Sequence, residues 1–289
     1  MDLLLRLVDD AALLLPLVGV LGLFIGSFLN VVIYRVPVAM QREWHYEAQC
    51  ILYPDKDIPP PAPFNIMVPG SHCPHCQTPI KPWHNLPILG YLLLRGQCAA
   101  CHAPISIRYP MIELCTALLG MAVVYVLGPG MATLGYIALV WALLVLTMID
   151  IDHQLLPDSI TLGLLWGGIV FNALFESIPL PDAVWGAVAG YLSLWSIYWA
   201  FKLLTGKEGM GYGDFKLLAA LGAWLGWQAL PLIIVVSSFV GATLGIISML
   251  WQRRDRDQPI PFGPYLAIAG VIALLWGETL TQHYLRILS

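Results

Sequence analysis

Long apolar stretches separated by shorter polar connections run through most of the chain. A helix needs about 20 consecutive apolar residues to cross the hydrocarbon core of a bilayer. By that measure, six segments are long enough or nearly so: Ala12–Tyr34, Met111–Leu127, Met131–Ile149, Ile160–Ala173, Ala183–Leu204 and Phe262–Leu280. A further stretch, Leu217–Trp251, is too long for one span, and Gly226-Trp227-Gln228 divides it into two. The pattern therefore predicts an all-α polytopic protein with about eight transmembrane helices.

The composition agrees with a membrane protein. Of the 289 residues, 58% are hydrophobic and 11% are charged, with a mean hydropathy of +0.75, whereas soluble domains carry roughly 25% charged residues. The 14 Lys and Arg residues are scattered, so nothing supports nucleic-acid binding, and membrane lipid is the expected surrounding. Met1–Asp10 is acidic rather than basic, so we expect the first apolar segment to remain as a span and not to be cleaved as a signal.

The distribution of basic residues predicts the orientation, because cytoplasmic connections carry an excess of Lys and Arg. With eight spans, the connections that follow odd-numbered spans lie on one side of the membrane. That side holds 12 of the 14 basic residues, namely Arg35, Arg42, Lys56, Lys81, Arg95, Arg108, Lys202, Lys207, Lys216, Arg253, Arg254 and Arg256. The other side holds Arg6 and Arg286. We therefore expect both termini outside the cytoplasm and the long connection at 35–108 inside it.

Four cysteines in that long connection have the spacing of a metal site. Cys73, Cys76, Cys98 and Cys101 form the pattern C-x2-C-x21-C-x2-C, and two short CxxC knuckles are the usual frame of a tetrahedral zinc site. Four protein ligands leave no open position, so the site is expected to be structural. The alternatives are four unliganded cysteines, or a ligand replaced by one of the nearby histidines, His72, His75, His84 and His102.

Two acidic stretches lie at the ends of apolar helices, Ile149–Asp158 and Gly211–Lys216. Acidic residues are costly in or beside hydrocarbon, so they are functional candidates at such places. The predicted topology puts Asp150 and Asp214 on the same, cytoplasmic side. Two carboxylates brought together can share a proton and activate water. The leading hypothesis is an aspartic protease that works at the membrane surface.

Structural alternatives exist for each acidic residue. In these alternatives, Asp150 is an acidic residue at the membrane interface, and Asp152 is an acidic residue exposed to solvent. Asp158 follows a proline at a predicted helix start and is expected to cap that helix. Asp214 likewise becomes a helix cap. Glu113 enters the second span, where it either pairs with Arg108 or lines the site.

The glycines before Asp214 point to a second feature of the site. Gly211 and Gly213 permit backbone angles that other residues resist and allow a peptide to approach closely. An extended substrate could pair with such a backbone. The alternative is an ordinary flexible loop.

These features together resemble the bacterial type IV prepilin peptidases over nearly the whole chain. The matching pieces are Gly26–Arg35, the paired CxxC region, Leu93-Leu94-Arg95-Gly96, Arg108-Tyr109-Pro110, Asp150–Asp158 and the GxGD motif at Gly211–Asp214. Their order and spacing agree as well. The resemblance implies a bacterial inner-membrane enzyme that cuts the basic leader from prepilins and pseudopilins after a glycine.

The resemblance also implies a second activity, methylation of the new N-terminal amine with S-adenosylmethionine. It assigns catalysis to Asp150 and Asp214, with Gly211 and Gly213 in support, and a zinc ion to the four cysteines. Gly96 falls in the stretch associated with methyl transfer. We expect the chain to divide into a first transmembrane helix (1–34), a cytoplasmic zinc-binding insertion (35–108) and a seven-helix membrane domain with the aspartic protease site (109–289).

Other functions remain open at this point. Within the family, the alternative is a peptidase without methyl transfer. From other classes, a proton-coupled transporter would also use acidic residues in the membrane, although transporters tend to bind at mid-bilayer on broken helices. A membrane scaffold that binds partners through a zinc knuckle is the third alternative.

Overall fold

The computed structural model describes residues 10–207, 209–252 and 261–288. Within them lie nine α-helices: α1 (Ala11–Leu52), α2 (Leu89–Leu93), α3 (Arg108–Leu127), α4 (Met131–His153), α5 (Asp158–Phe175), α6 (Leu180–Thr205), α7 (Tyr212–Leu225), α8 (Leu230–Gln252) and α9 (Gly263–Leu288). Two 3-10 turns, Pro82–Asn85 and Trp227–Ala229, complete the described helical structure. Of the basic residues used for orientation, Arg6, Arg253, Arg254 and Arg256 lie outside the described residues.

The predicted class of fold is confirmed. Among the described residues, seven helices, all but α2 and α7, contain a segment long and apolar enough to cross a membrane. The remaining predicted span corresponds to α7, which has 14 residues. Gly226 separates α7 from the next helix as predicted, and its φ of +82° is a left-handed conformation that favours glycine.

The chain divides into two compact units, Met1–Pro129 and Gly130–Ser289. The first unit contains the long helix α1, which continues past Tyr34 to Leu52 instead of ending at the predicted boundary. The apolar pattern missed this extension because charged and polar residues interrupt its apolar residues. The three-part division at residues 34 and 108 stays a prediction.

Small residues bring α1 and α3 together in the first unit. A Cβ on Gly22 would lie 2.7 Å from Ala117 Cα, and one on Gly26 would lie 2.6 Å from Glu113 Cα. Small residues at such helix contacts are typical of membrane proteins, because van der Waals packing drives helix association there. Asn30 adds a hydrogen bond from its side chain to the backbone oxygen of Tyr109, at 3.1 Å. The polar residues of this part of α1 therefore serve helix packing.

The second unit is built around α7, whose residues from Asp214 to Trp224 are almost all buried. Its glycine Gly222 lies against Gly186 of α6, and a Cβ on either residue would collide with the backbone of the other. One turn further along α6, a Cβ on Gly190 would lie 2.6 Å from the carbonyl oxygen of Leu218. Since only glycine fits at these positions, the contact fixes how closely α6 approaches α7.

A polar side chain joins α5 to the other end of α7. Asn172, which is 1% exposed, donates from Nδ2 to the carbonyl oxygen of Ala223 at 2.9 Å and accepts at Oδ1 from the backbone N–H of Ile178 at 3.2 Å. Trp224 Nε1 donates to the carbonyl oxygen of Leu164 at 2.9 Å. Buried polar groups need partners of this kind, and here they fix the position of α7 along its axis.

The close contact between α6 and α7 predicts the effect of one added methyl group. Replacing Gly222→Ala should destabilise the protein by at least about 1–3 kcal/mol, since overpacking against backbone is not relieved by a side-chain rotation. The matched control is Gly163→Ala, because a Cβ at that helical position meets nothing within 4 Å. Alanine is favoured over glycine in helices by roughly 1 kcal/mol, so this control should not lose stability. Thermal unfolding in detergent compares the two, and equal losses would contradict the packing account.

Candidate active site and metal centre

Asp150 lies on the last turn of α4, which continues past it to His153. Its residue surface is 5% exposed. The carboxylate oxygen Oδ2 accepts a hydrogen bond from the backbone N–H of Gly263 at 3.0 Å. Asp150 is therefore a buried carboxylate held by a residue far along the chain.

Asp214 lies in the first turn of α7 and is 6% exposed. The predicted alternative of a helix cap is wrong, because Gly211 occupies the N-cap position and no side chain caps the helix. The backbone N–H of Asp214 donates to the carbonyl oxygen of Gly211 at 3.2 Å. Its side-chain oxygen Oδ1 is buried and has no hydrogen-bond partner among the residues that the structure describes. Such an atom needs an explanation, and a reaction centre is one of the few available.

The fold brings the two carboxylates into one neighbourhood of the second unit. Asp150 lies close enough to Asp214 for the two charges to interact. Two helices, α5 and α6, separate them in the chain, so both face the same end of the unit, as the predicted topology requires. Two buried carboxyl groups close together cannot both ionise at low cost, which favours a shared proton. The arrangement can act as a general acid and a general base on one water molecule.

The two glycines of the GxGD segment have different surroundings. A Cβ on Gly213 would lie 2.7 Å from Leu156 Cβ, so this position is filled by a packed side chain. A Cβ on Gly211 would meet only Asp214 Oδ2 at 3.8 Å and the backbone nitrogen of Gly213 at 4.0 Å. The expected space for an approaching peptide therefore exists at Gly211 but not at Gly213. Their supporting role in catalysis stays a prediction.

Asp158 does not cap α5, although the sequence predicted that it would. It is the first residue of the helix and makes no capping hydrogen bond. Instead it pairs with Lys216 of α7, whose Nζ lies 2.6 Å and 2.7 Å from the two carboxylate oxygens. Lys216 follows Asp214 by two residues, so the ion pair ties the start of α5 to the turn that carries the second candidate aspartate. Asp152 is exposed.

The four predicted cysteine ligands form one cluster. Their sulfur atoms all lie within 4.8 Å of one another, with 3.8 Å between Cys73 and Cys101 and 4.0 Å between Cys76 and Cys98. Four sulfurs placed at a zinc–sulfur distance of about 2.3 Å in a tetrahedron lie about 3.8 Å apart. The donor set and its spacing thus fit a structural zinc ion, held by four thiolates with no open position for a reaction.

Each pair of cysteines sits in the same kind of turn. Cys73 N–H donates to the carbonyl oxygen of Thr78 at 3.0 Å, and Cys98 N–H donates to that of Ala103 at 2.9 Å. The residue after the second cysteine of each pair, Gln77 or His102, has a left-handed φ of 59° or 57°. Two equivalent knuckles facing each other therefore build the cluster.

Hydrogen bonds favour the metal-binding thiolate at one cysteine of each knuckle, Cys76 and Cys98. The hydrogen bond with Thr78 lowers the pKa of the Cys76 thiol to about 6. Backbone hydrogen bonds at Cys101 and Ala100 lower the pKa of Cys98. A thiolate is the form that ligates metal, so the local backbone prepares these ligands. The two remaining cysteines, Cys50 and Cys115, lie outside the cluster, and Cys115 is exposed on α3.

Gly96 has a steric reason to be glycine. Its φ is +70°, and a Cβ would lie 2.9 Å from Tyr91 Oη. Its backbone joins α2 to the second knuckle, since its N–H donates to Tyr91 at 3.0 Å and its carbonyl accepts from Ile105 at 2.7 Å. A role for Gly96 in binding the methyl donor stays a prediction.

Glu113 has a structural partner that neither sequence alternative foresaw. It is 6% exposed on α3, and its Oε2 accepts from the backbone N–H of Ile88 at 2.7 Å. Ile88 precedes α2 with a φ of +58°, which is an unfavourable conformation for a β-branched residue. The buried carboxylate therefore holds the start of α2 in place.

Sequence analysis missed two residues beside the aspartates, Gly263 and Lys216. Gly263 stands in Pro261-Phe262-Gly263-Pro264, a cluster of turn residues that marks a helix start. Lys216 is a charged residue just inside an apolar helix, which is a signal for a partner. Neither signal identifies the partner.

Comparisons with known proteins agree with this architecture. The family model for the bacterial peptidase A24 N-terminal domain matches residues 20–127, and the model for the type IV leader peptidase family matches residues 137–246. No solved structure matches the chain. The two matched regions contain the cysteine cluster and the two aspartates, respectively.

Several curated relatives are similar along nearly their whole length. A prepilin leader peptidase/N-methyltransferase of Aeromonas hydrophila is 59% identical over 269 residues, covering 93% of each chain. A protein of the same name from Pseudomonas aeruginosa is 53% identical over 266 residues, covering 92% of this chain and 91% of its own. A third, from Pseudomonas putida, is 49% identical over 280 residues, covering 97% and 96%. The chain therefore belongs to the type IV leader peptidase family, a family of multi-pass membrane enzymes.

The cysteine cluster predicts a metal content that variants can test. Purified protein should contain one zinc ion per chain, and Cys76→Ser or Cys98→Ser should lower that content, because three thiolates hold zinc less well than four. Cys115→Ser is the matched control, since Cys115 lies on α3 outside the cluster. Elemental analysis of detergent-purified protein measures the ratio. Equal zinc content in all variants would contradict the assignment.

The ion pair between Asp158 and Lys216 predicts non-additive effects. Each single variant, Asp158→Ala or Lys216→Ala, should lower stability slightly, and the double variant should be little worse than either. The coupling energy should be roughly 0.2–1 kcal/mol, because both groups are partly exposed. Thermal unfolding of the four proteins gives this energy. Fully additive losses would show that the pair is not formed, whereas recovery by the charge-exchanged protein Asp158→Lys/Lys216→Asp would support it.

Proposed function

We propose that this protein removes the leader peptide from prepilins and pseudopilins and then methylates the new N-terminus. The observation that carries the peptidase assignment is the meeting of Asp150 and Asp214, two buried aspartates 64 positions apart in the chain (214 − 150). The family and the names of its relatives support both activities.

In the proposed cleavage, the two aspartates share one proton. The ionised carboxylate takes a proton from water, and the resulting hydroxide attacks the scissile carbonyl carbon. The protonated carboxyl group supplies its proton to the developing oxyanion. As the tetrahedral intermediate breaks down, the carboxyl group that took the proton from water gives it to the leaving amine, and a hydroxyl of the intermediate returns a proton to the other carboxylate as the new carbonyl forms. No covalent intermediate with the protein forms. The open side of Gly211 is the place where the extended substrate backbone passes Asp214.

Methyl transfer is assigned to the first unit. S-adenosylmethionine supplies the methyl group, and the protein must orient it toward a deprotonated N-terminal amine. The cysteine cluster and the turn at Gly96 lie in this unit, where zinc would hold the two knuckles in shape. Gly96 is proposed to belong to the methyl-donor region.

The proposed location is the bacterial inner membrane. The excess of basic residues on the connections after odd-numbered spans supports a cytoplasmic zinc domain and periplasmic termini. A prepilin has a charged leader and an apolar helix, so the bond between them lies at the cytoplasmic interface. The two aspartates at the matching helix ends would meet that bond there.

The alternatives predict different behaviour. A peptidase without methyl transfer would cut the substrate but add no methyl group. A proton-coupled transporter would move a solute and cut nothing, and it is disfavoured because Asp150 and Asp214 lie in the last turn of one helix and the first turn of another. A scaffold would keep working after either aspartate is replaced.

The direct test is cleavage of a prepilin by purified protein in detergent. Wild-type protein should release the leader, and the remaining pilin should gain the mass of one methyl group only when S-adenosylmethionine is present. Asp150→Asn and Asp214→Asn should each abolish cleavage, because neither can hold the shared proton as a carboxyl group. Asp152→Asn is the matched control, since this exposed aspartate lies on the same helix end.

The outcomes separate the alternatives. Cleavage at the wild-type rate by either Asn variant would contradict the dyad. Cleavage without any gain in mass would leave the peptidase and remove the methyltransferase. No cleavage by folded wild-type protein would remove both.

A further inference from the structure

The carboxylate of Asp150 has an unfavourable position on its own helix. It lies in the last turn of α4, where the helix dipole is negative and disfavours an anion. The amino end of α9 supplies the opposite field, and its first residue, Gly263, donates its backbone N–H to Asp150 Oδ2 at 3.0 Å. This hydrogen bond joins residues 113 positions apart. The amino end of α9 therefore offsets the unfavourable field at the carboxylate of Asp150, and the hydrogen bond from Gly263 sets the orientation of that carboxylate.

Gly263 is glycine because the carboxylate occupies the space of a side chain. A Cβ at this position would lie 2.6 Å from Asp150 Oδ2 and 3.2 Å from its Cγ. The next nearest atom is Leu156 Cδ1, also at 3.2 Å. The constraint is steric, and any larger residue would push the carboxylate away from the amide that orients it.

Leu156 completes the arrangement by contacting both glycine positions. Its Cβ occupies the place that a side chain of Gly213 would take, and its Cδ1 lies beside Gly263. Leu156 comes from the connection between α4 and α5, Gly213 from the turn before Asp214, and Gly263 from the start of α9. A single side chain thus spaces the turn of Asp214 from the helix end that holds Asp150.

We propose that Gly263 is a positioning residue for cleavage, acting through its backbone N–H on Asp150, with Leu156 as the spacer between the two aspartate-bearing segments. This inference rests on the proposed role of Asp150 as a catalytic carboxylate. Gly263 orients the carboxylate without contacting the scissile bond. Its loss therefore lowers kcat and leaves KM nearly unchanged, because substrate binding does not use it.

The first test compares two glycine substitutions on the same helix. Gly263→Ala should lower kcat for prepilin cleavage roughly 10- to 100-fold, the range expected for a lost hydrogen bond to a charged group. KM should stay within about twofold of wild type. The matched control is Gly277→Ala on the same helix, because the nearest atom to a Cβ there is Leu232 Cδ2 at 3.8 Å, an ordinary contact. Thermal unfolding of both variants checks that they are folded.

A second variant removes the donor without adding an atom that collides. Replacing Gly263 by glycolic acid, through nonsense suppression with the α-hydroxy acid, turns the amide between Phe262 and residue 263 into an ester. The backbone N–H is removed, and no side-chain atom is added beside the carboxylate of Asp150. This protein should also lose kcat, by roughly 10-fold or more, with KM unchanged. It keeps the proposal testable if the alanine variant does not fold.

The outcomes distinguish this inference from the proposed function. Wild-type kcat in the ester protein, with Asp150→Asn inactive, would overturn the role of Gly263 and leave the dyad intact. Cleavage by Asp150→Asn would overturn the dyad itself. A fall in kcat of Gly277→Ala equal to that of Gly263→Ala would also overturn the inference, since it would mean that any added methyl group on α9 has the same effect. A rise in KM with unchanged kcat would place Gly263 in substrate binding instead.

Discussion

The close approach of α6 and α7 is the constraint on which the second unit depends. Gly186 and Gly222 leave no room for a side chain between the two backbones, so α7 lies buried on nearly all sides. A short helix surrounded in this way cannot slide along its axis, so the position of its first turn is fixed within the unit. Because Asp214 stands in its first turn, the glycine contact at Gly222, eight residues further along the helix (222 − 214), determines where that carboxylate lies.

The same unit has to offset the cost of two buried acidic groups. Asp150 receives the backbone N–H of Gly263, whereas Asp214 Oδ1 has no partner within the described residues. One carboxylate is thus prepared for negative charge, and the other keeps an oxygen available for a proton or a water. An asymmetric pair of this kind suits a reaction in which one group removes a proton and the other supplies one.

The features that could be predicted from the sequence are those that depend on the chemistry of particular side chains. The spacing of the two CxxC pairs predicted that the four cysteines form one cluster. The position of acidic residues beside apolar helices marked Asp150 and Asp214 as functional candidates, and both are buried. Sequence reasoning failed where the information is spatial. The turn residues around Gly263 mark a helix start, but nothing in the sequence shows that its backbone N–H donates to Asp150. A glycine also looks the same whether its space is open, as at Gly211, or filled by a leucine, as at Gly213. The helical extension to Leu52 was missed because charged and polar residues interrupt its apolar residues.

The central claim is that Asp150 and Asp214 of one chain act in one site. Mixing experiments test it most directly: Asp150→Asn and Asp214→Asn proteins are co-expressed, purified together and assayed for prepilin cleavage. The account predicts no cleavage by the mixture, because neither chain holds both carboxylates. Recovery of a substantial fraction of wild-type activity would contradict it, since the two aspartates would then act in separate steps or in different copies of the protein.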